Sequence, residues 1–351
     1  MHDFTHRYRR LMRQLAARQL DGFLTTHPPH LRYLFNFSGS SGMACCVDGA
    51  AFLLVDSRYI EQARQETTNC TPVLATSSLE GGLREVWRKC WPASSPRIAV
   101  ESEHISHGRW LRLKAWSESC QWVPTQDVIE EFRLLKDASE IGLIEKAFEM
   151  ALTAFAVVSE RLEPGLTETE IAGLLELEMR RAGAERPAFQ TLVASGPRSS
   201  LPHGVATARV VGEGELVLLD FGAVFGGYCS DLTRVVLLPG CREPDILGVV
   251  REAQQAALQA IRPGVLTTEI DNAARAVISK AGLGDCFGHG TGHGLGLEVH
   301  ELPRVSQRWP RRVLPGMVFT LEPGIYLPGR CGVRLEDAVL VTEEGYRPLS
   351  H

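Results

Sequence analysis

The segment Leu162-Glu-Pro-Gly-Leu-Thr-Glu-Thr-Glu-Ile171 recurs as Ile261-Arg-Pro-Gly-Val-Leu-Thr-Thr-Glu-Ile270 later in the same chain. Matching Pro, Glu and Gly positions share one spacing, because 263 − 164, 269 − 170 and 282 − 183 all give 99. A second pair of similar segments, Gly214–Gly222 and Gly316–Gly324, is related by 102 residues. Self-similarity of this kind indicates a duplicated supersecondary unit. We therefore predict two copies of helix, helix and strands.

The first copy places Asp220 at the end of one apolar run and Asp231 at the start of the next. Gly226-Gly227 lies between the two runs and is typical of a two-residue hairpin turn. Counting outward from this turn pairs Gly222 with Asp231. Asp220 lies two residues from Gly222 and faces the same side of the strand. The two aspartates are then diagonal neighbours about 7–8 Å apart at the backbone, which suits carboxylates that converge on metal ions.

The second copy adds Glu322 and Glu336, each at a predicted strand end. Four carboxylates in related positions repel one another unless a cation compensates them. Arg334 alone supplies too little positive charge, so the pattern predicts one or two divalent metal ions. An imidazole could complete the site, because three of the 11 histidines, His289, His293 and His300, fall within Phe287–Glu301. Five glycines separate them, which favours a backbone that approaches another group closely.

The sequence does not contain the catalytic motifs of several other enzyme classes. A His-Glu-x-x-His zinc site is excluded because position 304 is Arg and Pro303 would interrupt the helix. The chain has no Gly-x-x-x-x-Gly-Lys-Ser/Thr phosphate loop, and its Gly290-Thr-Gly292 run does not complete Gly-x-Gly-x-x-Gly. Neither Ser41 nor Ser195 lies in a Gly-x-Ser-x-Gly elbow, which argues against a nucleophilic serine.

Composition narrows the class of protein. At 351 residues the chain predicts about two domains, and 44% hydrophobic with 23% charged residues is typical of a globular protein. A net charge of −5 and the lack of a long apolar run argue against a nucleic-acid or membrane partner. The N-terminal segment has no apolar region of the kind that directs secretion. Nine cysteines without a Cys-x-x-Cys predict reduced thiols and a cytoplasmic protein.

Alternating strand and helix patterns predict an α/β domain over residues 1–130, followed by a second domain over 131–351. In the first domain we predict strands at Gly22–Thr26, Ala51–Val55 and Arg97–Val100. We also predict a turn at Asp48-Gly49 and a loop at His27-Pro-Pro-His30. Residues 7–20 and Ile141–Leu162 have helical spacing.

Several motifs together resemble those of the pita-bread metallopeptidases, and within them the proline-specific branch of Xaa-Pro dipeptidases (prolidases) and Xaa-Pro aminopeptidases. The most specific are Leu201–Gly204, Leu219–Ala223, Ser230–Arg234, His289–Glu301, Pro315–Gly324 and Gly332–Asp337. Tyr33–Ser40 and Leu54–Tyr59 are similar to the family's N-terminal domain. One departure is Phe35-Asn36, where the family usually has Thr-Gly. The resemblance implies a creatinase/prolidase-type N-terminal domain and a pita-bread catalytic domain with a pseudo-two-fold axis.

The same resemblance implies a residue-by-residue site. The implied ligands of two metal ions are Asp220, Asp231, His293, Glu322 and Glu336. His203 and His300 would lie beside the substrate without binding metal, and His289 would line the pocket for the residue after the cleaved bond. Four carboxylates and one imidazole suit Mn²⁺ or Co²⁺ as well as Zn²⁺.

This site suggests a hypothesis for how the peptide bond is hydrolysed. Two metals would share a water and lower its pKa toward neutrality, so that hydroxide attacks the peptide bond. Glu322 would accept the proton, His300 would hydrogen-bond the oxyanion and His203 would position the carbonyl. Arg334 and Arg308 are candidate substrate-binding residues. Arg308 could clamp the carboxylate of a dipeptide, although a solvated basic loop explains it equally well.

The expected substrates are proline-containing dipeptides or short peptides, since a pocket for the ring can select a nitrogen that has no hydrogen to donate. Alternatives are an Xaa-Pro aminopeptidase acting on longer peptides, a creatinase-like hydrolase, or a non-catalytic peptide-binding relative. Five intact ligand positions argue against the last two. The resemblance also implies a homodimer.

Overall fold

Strand β1 (Gly22–Thr25) lies inside the sheet of the N-terminal unit, with all four residues buried. The structure, a computed structural model, describes residues 3–47, 49–91, 95–115 and 120–350. It divides into two units, Met1–Phe132 and Arg133–His351. Within the described ranges, no helix combines the length and apolarity needed to cross a membrane.

The N-terminal unit is a six-stranded mixed sheet in the order β4-β3-β2-β1-β5-β6. The other strands are β2 (Met43–Val47), β3 (Ala50–Val55), β4 (Thr71–Leu74), β5 (Arg97–Glu101) and β6 (Gln121–Thr125). The helices are α1 (Phe4–Ala17), α2 (Pro28–Phe35), α3 (Ile60–Glu66), α4 (Leu79–Cys90), α5 (His107–Lys114) and α6 (Glu130–Arg133), which ends one residue past the unit border. One apolar core contains side chains of β1, β2, β5 and α4, including Trp87 and Trp91.

Two short segments of this unit, residues 27–30 and 48–49, are predicted to be a loop and a turn. The predicted loop at His27-Pro-Pro-His30 is wrong, because α2 begins at Pro28 with prolines in its first turn. Proline fits there since its missing N–H would have no helical partner. The predicted turn at Asp48-Gly49 joins β2 to β3, which pair with Val47 opposite Ala50, but Asp48 itself lies outside the described residues.

The second unit contains the duplication. Its helices are α7 (Ala138–Ser159), α8 (Glu168–Arg181), α9 (Asp245–Ala260) and α10 (Thr267–Lys280). Helices α8 and α10 keep the sequence spacing at both ends, since 267 − 168 and 280 − 181 both give 99. The repeated glutamates explain these starts: Glu170 accepts the Thr167 backbone N–H at 2.7 Å, and Glu269 accepts that of Leu266 at 2.8 Å.

Strands of this unit form four small sheets. In chain order they are β7 (Arg186–Pro187), β8 (Leu192–Ser195), β9 (Leu216–Phe221), β10 (Ala223–Phe225), β11 (Tyr228–Cys229), β12 (Leu232–Leu237), β13 (Gly292–Gly294), β14 (Glu301–Val305), β15 (Val318–Leu321), β16 (Gly324–Leu327), β17 (Cys331–Arg334), β18 (Asp337–Val341) and β19 (Tyr346–Pro348). The sheet orders are β11-β10-β7, β12-β9-β8, β14-β13-β15-β18-β19 and β16-β17. Helices α9 and α10 pack with β15 to β18 in a single apolar core.

Candidate functional site

The first carboxylate pair lies on a ribbon made by β9 and β10 running against β11 and β12. Gly226 and Gly227 form the turn with φ of 57° and 80°, and Phe225 pairs with Tyr228 as predicted. The register continues without a shift, so that Asp220 faces Thr233 across the ribbon. Asp231 falls opposite Gly222, where a Cβ would lie 2.0 Å from the Ser230 carbonyl oxygen. The predicted diagonal arrangement of the two aspartates is confirmed by this register.

The second pair lies on the equivalent ribbon, in which β15 and β16 run against β17 and β18. Leu321 pairs with Asp337, and Gly324 pairs with Arg334. These pairs flank Glu322 and Glu336 symmetrically, so the two glutamates face each other directly. The two ribbons meet at an isolated bridge between Thr233 and Glu336.

His293 approaches the carboxylates from β13, a neighbour of β15. Its Nε2 lies 3.6 Å from Asp231 Oδ2 and 3.4 Å from Glu322 Oε1. Its Nδ1 lies 3.1 Å from the Gly294 carbonyl oxygen. With Nδ1–H donating to that carbonyl, the lone pair of Nε2 faces the carboxylates, as in a metal ligand. Potential ligand atoms of Asp231, His293 and Glu336 all lie within 4.8 Å of one another.

Glycines beside His293 allow this approach. A Cβ at Gly292 would lie 1.9 Å from the Thr320 carbonyl oxygen, and one at Gly294 would lie 2.0 Å from that of Leu302. The preceding loop is held by a buried carboxylate, because Asp271 accepts the Thr291 backbone N–H at 3.0 Å and its hydroxyl at 2.8 Å. The glycine-rich stretch is therefore shaped by close packing, as its composition predicts.

Burial raises the pKa of all four carboxyl groups, and neighbouring carboxylates raise it further for Asp231, Glu322 and Glu336, with the strongest effect on Asp231 and Glu336. Two of their oxygens, Asp220 Oδ1 and Glu336 Oε1, are buried and have no hydrogen-bond partner in the part of the chain that the structure describes. Buried anions of this kind require a compensating cation. The donor set, the convergence and the unpartnered oxygens together fit divalent metal ions.

Arg334 supplies part of that compensation. Only 4% of its side chain is exposed, and its Nη2 donates to Asp220 Oδ2 at 2.5 Å. Its other donors reach Thr233 Oγ1 at 3.0 Å, the Pro202 carbonyl at 2.9 Å and the Tyr326 hydroxyl at 2.9 Å. The structure therefore places Arg334 in an ion pair inside the carboxylate cluster, a position that favours charge balance over direct contact with substrate.

Sequence reasoning missed Thr233 and Tyr326. Thr233 is fully buried and donates to Glu336 Oε2 at 2.8 Å. The Tyr326 hydroxyl lies 3.0 Å from His289 Nε2 and accepts from Arg334, so it connects the histidine with the arginine. Each hydroxyl group lies in a mostly apolar strand, and a polar group in such a strand is the signal that could have indicated them.

The remaining candidates surround the cluster. The ring of His300 lies 4.3 Å from that of His293, and desolvation together with His293 lowers the pKa of His300 to about 4. His203 is exposed and follows Pro202, the carbonyl partner of Arg334. Arg308 is exposed in the loop after β14, where the structure gives it no contact with the carboxylates.

Residues 142–343 match the model of metallopeptidase family M24, and residues 7–135 match the creatinase/prolidase N-terminal domain. The chain belongs to metallopeptidase family M24. The predicted fold class is confirmed, with a creatinase-type N-terminal domain before a pita-bread catalytic domain. As a member of this family the chain is a metal-dependent peptidase.

Relatives match over nearly their whole lengths. The chain is 36% identical to the Xaa-Pro dipeptidase of Pyrococcus furiosus over 98% of this chain and 97% of that protein. Its structure is similar to an Xaa-Pro dipeptidase from Bacillus anthracis, with a TM-score of 0.92, 34% identity, and 99% and 98% of the two chains covered. An X-Pro aminopeptidase from Thermotoga maritima has a TM-score of 0.91 at 36% identity, covering 98% and 97%.

Proposed function

We propose that this M24 peptidase is an Xaa-Pro dipeptidase. The observation that carries the proposal is the meeting of four carboxylates from two duplicated ribbons, three of them buried and Glu322 half-buried, with His293 Nε2 facing them. Relatives with dipeptidase names match this chain from end to end, which supports the same substrate class. We assign residues 131–351 to the catalytic domain and residues 1–130 to the N-terminal domain.

The proposed metal ligands are Asp220, Asp231, His293, Glu322 and Glu336. When bound, two divalent ions would acidify a water molecule and act as Lewis acids toward the peptide carbonyl. Carboxylate oxygens outnumber imidazole four to one, which favours Mn²⁺ or Co²⁺ over a softer ion, with Zn²⁺ still accepted. We propose manganese as the resident ion. Arg334 would hold Asp220 in place and offset its charge.

Three residues would accept the proton of the attacking water, stabilise the developing charge and orient the substrate carbonyl. Glu322, whose side chain is 17% exposed, would accept the proton released by the attacking water. His300, beside His293, would donate a hydrogen bond to the oxygen on which charge develops. His203, on the turn next to Arg334, would orient the carbonyl of the bond to be cleaved.

Aromatic groups next to the cluster support selection of proline. The rings of Phe287 and His289 meet edge to face at 5.0 Å, and Tyr326 lies next to them. Flat apolar surfaces suit the pyrrolidine ring, whose tertiary amide has no N–H to satisfy. His289 would therefore line the proline subsite, with its orientation held by Tyr326.

A substrate-length experiment tests the function. The purified chain, loaded with Mn²⁺, Co²⁺ or Zn²⁺ or treated with chelator, would be incubated with Ala-Pro, Ala-Pro-Ala and Ala-Ala, and the products identified by mass spectrometry. Metal-dependent cleavage of Ala-Pro alone is expected. Equal or faster release of alanine from Ala-Pro-Ala would instead support an aminopeptidase, and cleavage of neither proline peptide would overturn both.

Arg308 is the proposed clamp for the substrate carboxylate. In Arg308→Ala we expect KM for Ala-Pro to rise about tenfold, since a charge-assisted hydrogen bond contributes about 1.5–3 kcal/mol, while kcat changes little. Ala-Pro amide, which lacks the carboxylate, should be insensitive to the substitution. Arg304→Ala is the matched control, because Arg304 is exposed on the same segment and packs over Trp309. Equal effects of the two variants would refute the clamp.

We also propose a cytoplasmic homodimer. Nine cysteines are all free thiols, which suits a reducing compartment. Leu201, Val205 and Val210 are 50%, 42% and 55% exposed along one segment beside His203, and a second copy would cover such apolar side chains. Light scattering coupled to size-exclusion chromatography should give a mass near twice 38.6 kDa. A monomer at micromolar concentration would contradict this assignment.

A further inference from the structure

A second cluster of possible metal ligands lies inside the N-terminal unit. It combines His27, just before α2, and His30, within α2, with Glu101 at the end of β5, His104 just after β5 and Glu130 at the start of α6. Ligand atoms of His27, His30 and His104 lie within 4.8 Å of one another, as do those of His30, Glu101 and Glu130. Three imidazoles and two carboxylates, on or next to α2, β5 and α6, therefore form two overlapping groups that share His30.

His30 is the centre of this cluster and is completely buried. Its Nδ1 is in short contact with Glu101 Oε1, while its Nε2 faces Glu130, 3.8 Å from Oε1. When a carboxylate accepts from Nδ1–H, the lone pair of the imidazole is on Nε2, and this is the usual support of a metal-bound histidine. His104 Nε2 lies 2.8 Å from the same Glu130 oxygen. Two imidazole nitrogens and one carboxylate thus face a common point.

Each carboxylate of this cluster has one oxygen for which a bound cation would be a suitable partner. Glu101 is 5% exposed. Its Oε2, like Oε2 of Glu130, is buried without a hydrogen-bond partner among the described residues. A buried carboxylate oxygen of this kind is normally hydrogen-bonded or bound to a metal.

We propose that this cluster is a divalent-cation site, separate from the catalytic centre, in which His30 Nε2, His104 Nε2 and the Glu130 carboxylate bind the ion. Glu101 holds the His30 ring from behind by accepting a hydrogen bond from Nδ1–H, which keeps the proton off Nε2 and leaves that nitrogen facing the ion. His27 stacks on His104 with centroids 3.7 Å apart and planes 8° apart. Since a metal lies in the plane of its imidazole ligand, His27 must rotate to become a fourth ligand.

The donor set distinguishes this site from the carboxylate cluster. Imidazoles dominate here, and nitrogen donors select Zn²⁺, whereas oxygen donors accept Mn²⁺. The ion would tie α2, the end of β5 and the start of α6 together. It would therefore stabilise the N-terminal unit rather than take part in hydrolysis, as structural zinc does elsewhere.

Metal counting tests the proposal on the full-length chain. Metal-free protein would be saturated with Zn²⁺ or with Mn²⁺, passed through a desalting column, and its metal content measured by mass spectrometry. One more equivalent of Zn²⁺ than of Mn²⁺ is expected. The Asp231→Asn, Glu336→Gln double variant should keep one Zn²⁺, so the result does not depend on the proposed catalytic function.

Substitutions identify the ligands. The His104→Ala, Glu130→Gln double variant should lose the extra Zn²⁺ and the Zn²⁺-dependent rise in the thermal midpoint of the N-terminal unit. His107→Ala is the control, because His107 is exposed on α5 outside the cluster. Glu101→Gln should keep the ion but weaken its affinity about 10–100-fold, measured by competition with a chromophoric chelator. Unchanged Zn²⁺ content in the double variant, with its fold verified by circular dichroism, would overturn the site.

Discussion

The two halves of the catalytic unit present equivalent ribbons, but the imidazole that faces the carboxylates, that of His293, comes from the second half. In the first half β8 lies beside β9, and Leu192 pairs with Asp220. In the second half β13 lies beside β15, and the Thr291 carbonyl accepts the Glu322 backbone N–H at 2.7 Å. Because Asp220 corresponds to Glu322 in the duplication, Leu192 corresponds to Thr291, and two residues further on buried Ala194 corresponds to His293.

The difference shows how a duplicated scaffold acquires an asymmetric site. Val193 packs its side chain in the first half, while its counterpart Gly292 has none and lies against the Thr320 backbone. The first ribbon sets its aspartates diagonally, and the second sets its glutamates face to face. Symmetry therefore supplies four carboxylates, and the glycine-rich stretch adds the imidazole from one side only.

The largest loss of activity should come from removing one of the clustered carboxylates from either half. Asp231→Asn and Glu336→Gln should each reduce kcat/KM on the order of 10³-fold or more, since each removes several kcal/mol of metal-dependent stabilisation. Steady-state kinetics with Ala-Pro provide the measurement, and exposed Glu344→Gln is the matched control. Retained activity in one variant only would show that the two halves are not equivalent in the reaction.

The next largest effect should come from a buried ion cluster that links Glu301, in the second half, to Arg133 and Lys136, which precede α7. Glu301 pairs with Arg133, which is 3% exposed, and with Lys136 at 3.2 Å. Glu301→Gln leaves two buried cations undercompensated and should lower the free energy of unfolding by about 3–5 kcal/mol. Urea denaturation would measure this loss, with exposed Glu343→Gln as the control.

The same glutamate predicts a pH dependence. Although burial opposes it, Arg133 and Lys136 lower the pKa of Glu301 below its usual 4.5. A lowered folded-state pKa contributes stability above the unfolded pKa, and that contribution is lost as pH falls through the folded pKa. Unfolding free energies measured from pH 7 to pH 3 should fall less steeply for Glu301→Gln than for the unsubstituted chain. Parallel curves would contradict the ion-pair account.

Counterparts Gly292 and Val193 allow a direct test of the asymmetry. Gly292→Ala forces a Cβ against a backbone oxygen and should destabilise the protein by about 1–3 kcal/mol, with a displaced His293 and weaker metal binding. Val193→Ala removes two buried methyl groups, which should also cost stability, but should leave metal affinity unchanged. Isothermal titration with Mn²⁺ separates the two. Equal metal affinity in both variants would show that the close approach does not position the histidine.

The smallest effect, a loss of metal affinity, should come from substituting Thr233, where the two ribbons meet. Thr233→Val removes the hydroxyl that donates to Glu336 and accepts from Arg334 while keeping the shape of the side chain. We expect metal affinity to fall about tenfold, as for other groups that support a ligand. Thr233→Ser keeps the hydroxyl and should restore most of that affinity. A serine variant as weak as the valine variant would point to packing instead.

Several features of this protein followed from its sequence because they depend on neighbouring residues. The Gly226-Gly227 turn sets the register of the first ribbon, and the repeated glutamates begin α8 and α10. Charge repulsion among strand-end carboxylates predicts a cation from the sequence alone. The loop predicted at His27-Pro-Pro-His30 is wrong because proline is common both in loops and in the first turn of a helix, so the local sequence does not distinguish them.

Only the tertiary structure decided which charges meet. Nothing in the spacing of Arg334 indicates its partner Asp220, 114 residues away, or the buried contact of Glu301 with Arg133 across 168 residues. The grouping of His30 with Glu101 and Glu130 likewise depends on the sheet order and on where α6 begins. Turn chemistry and periodicity act over a few residues and can be read locally. Ion pairs between distant segments depend on packing, which brings their side chains together only in the folded chain.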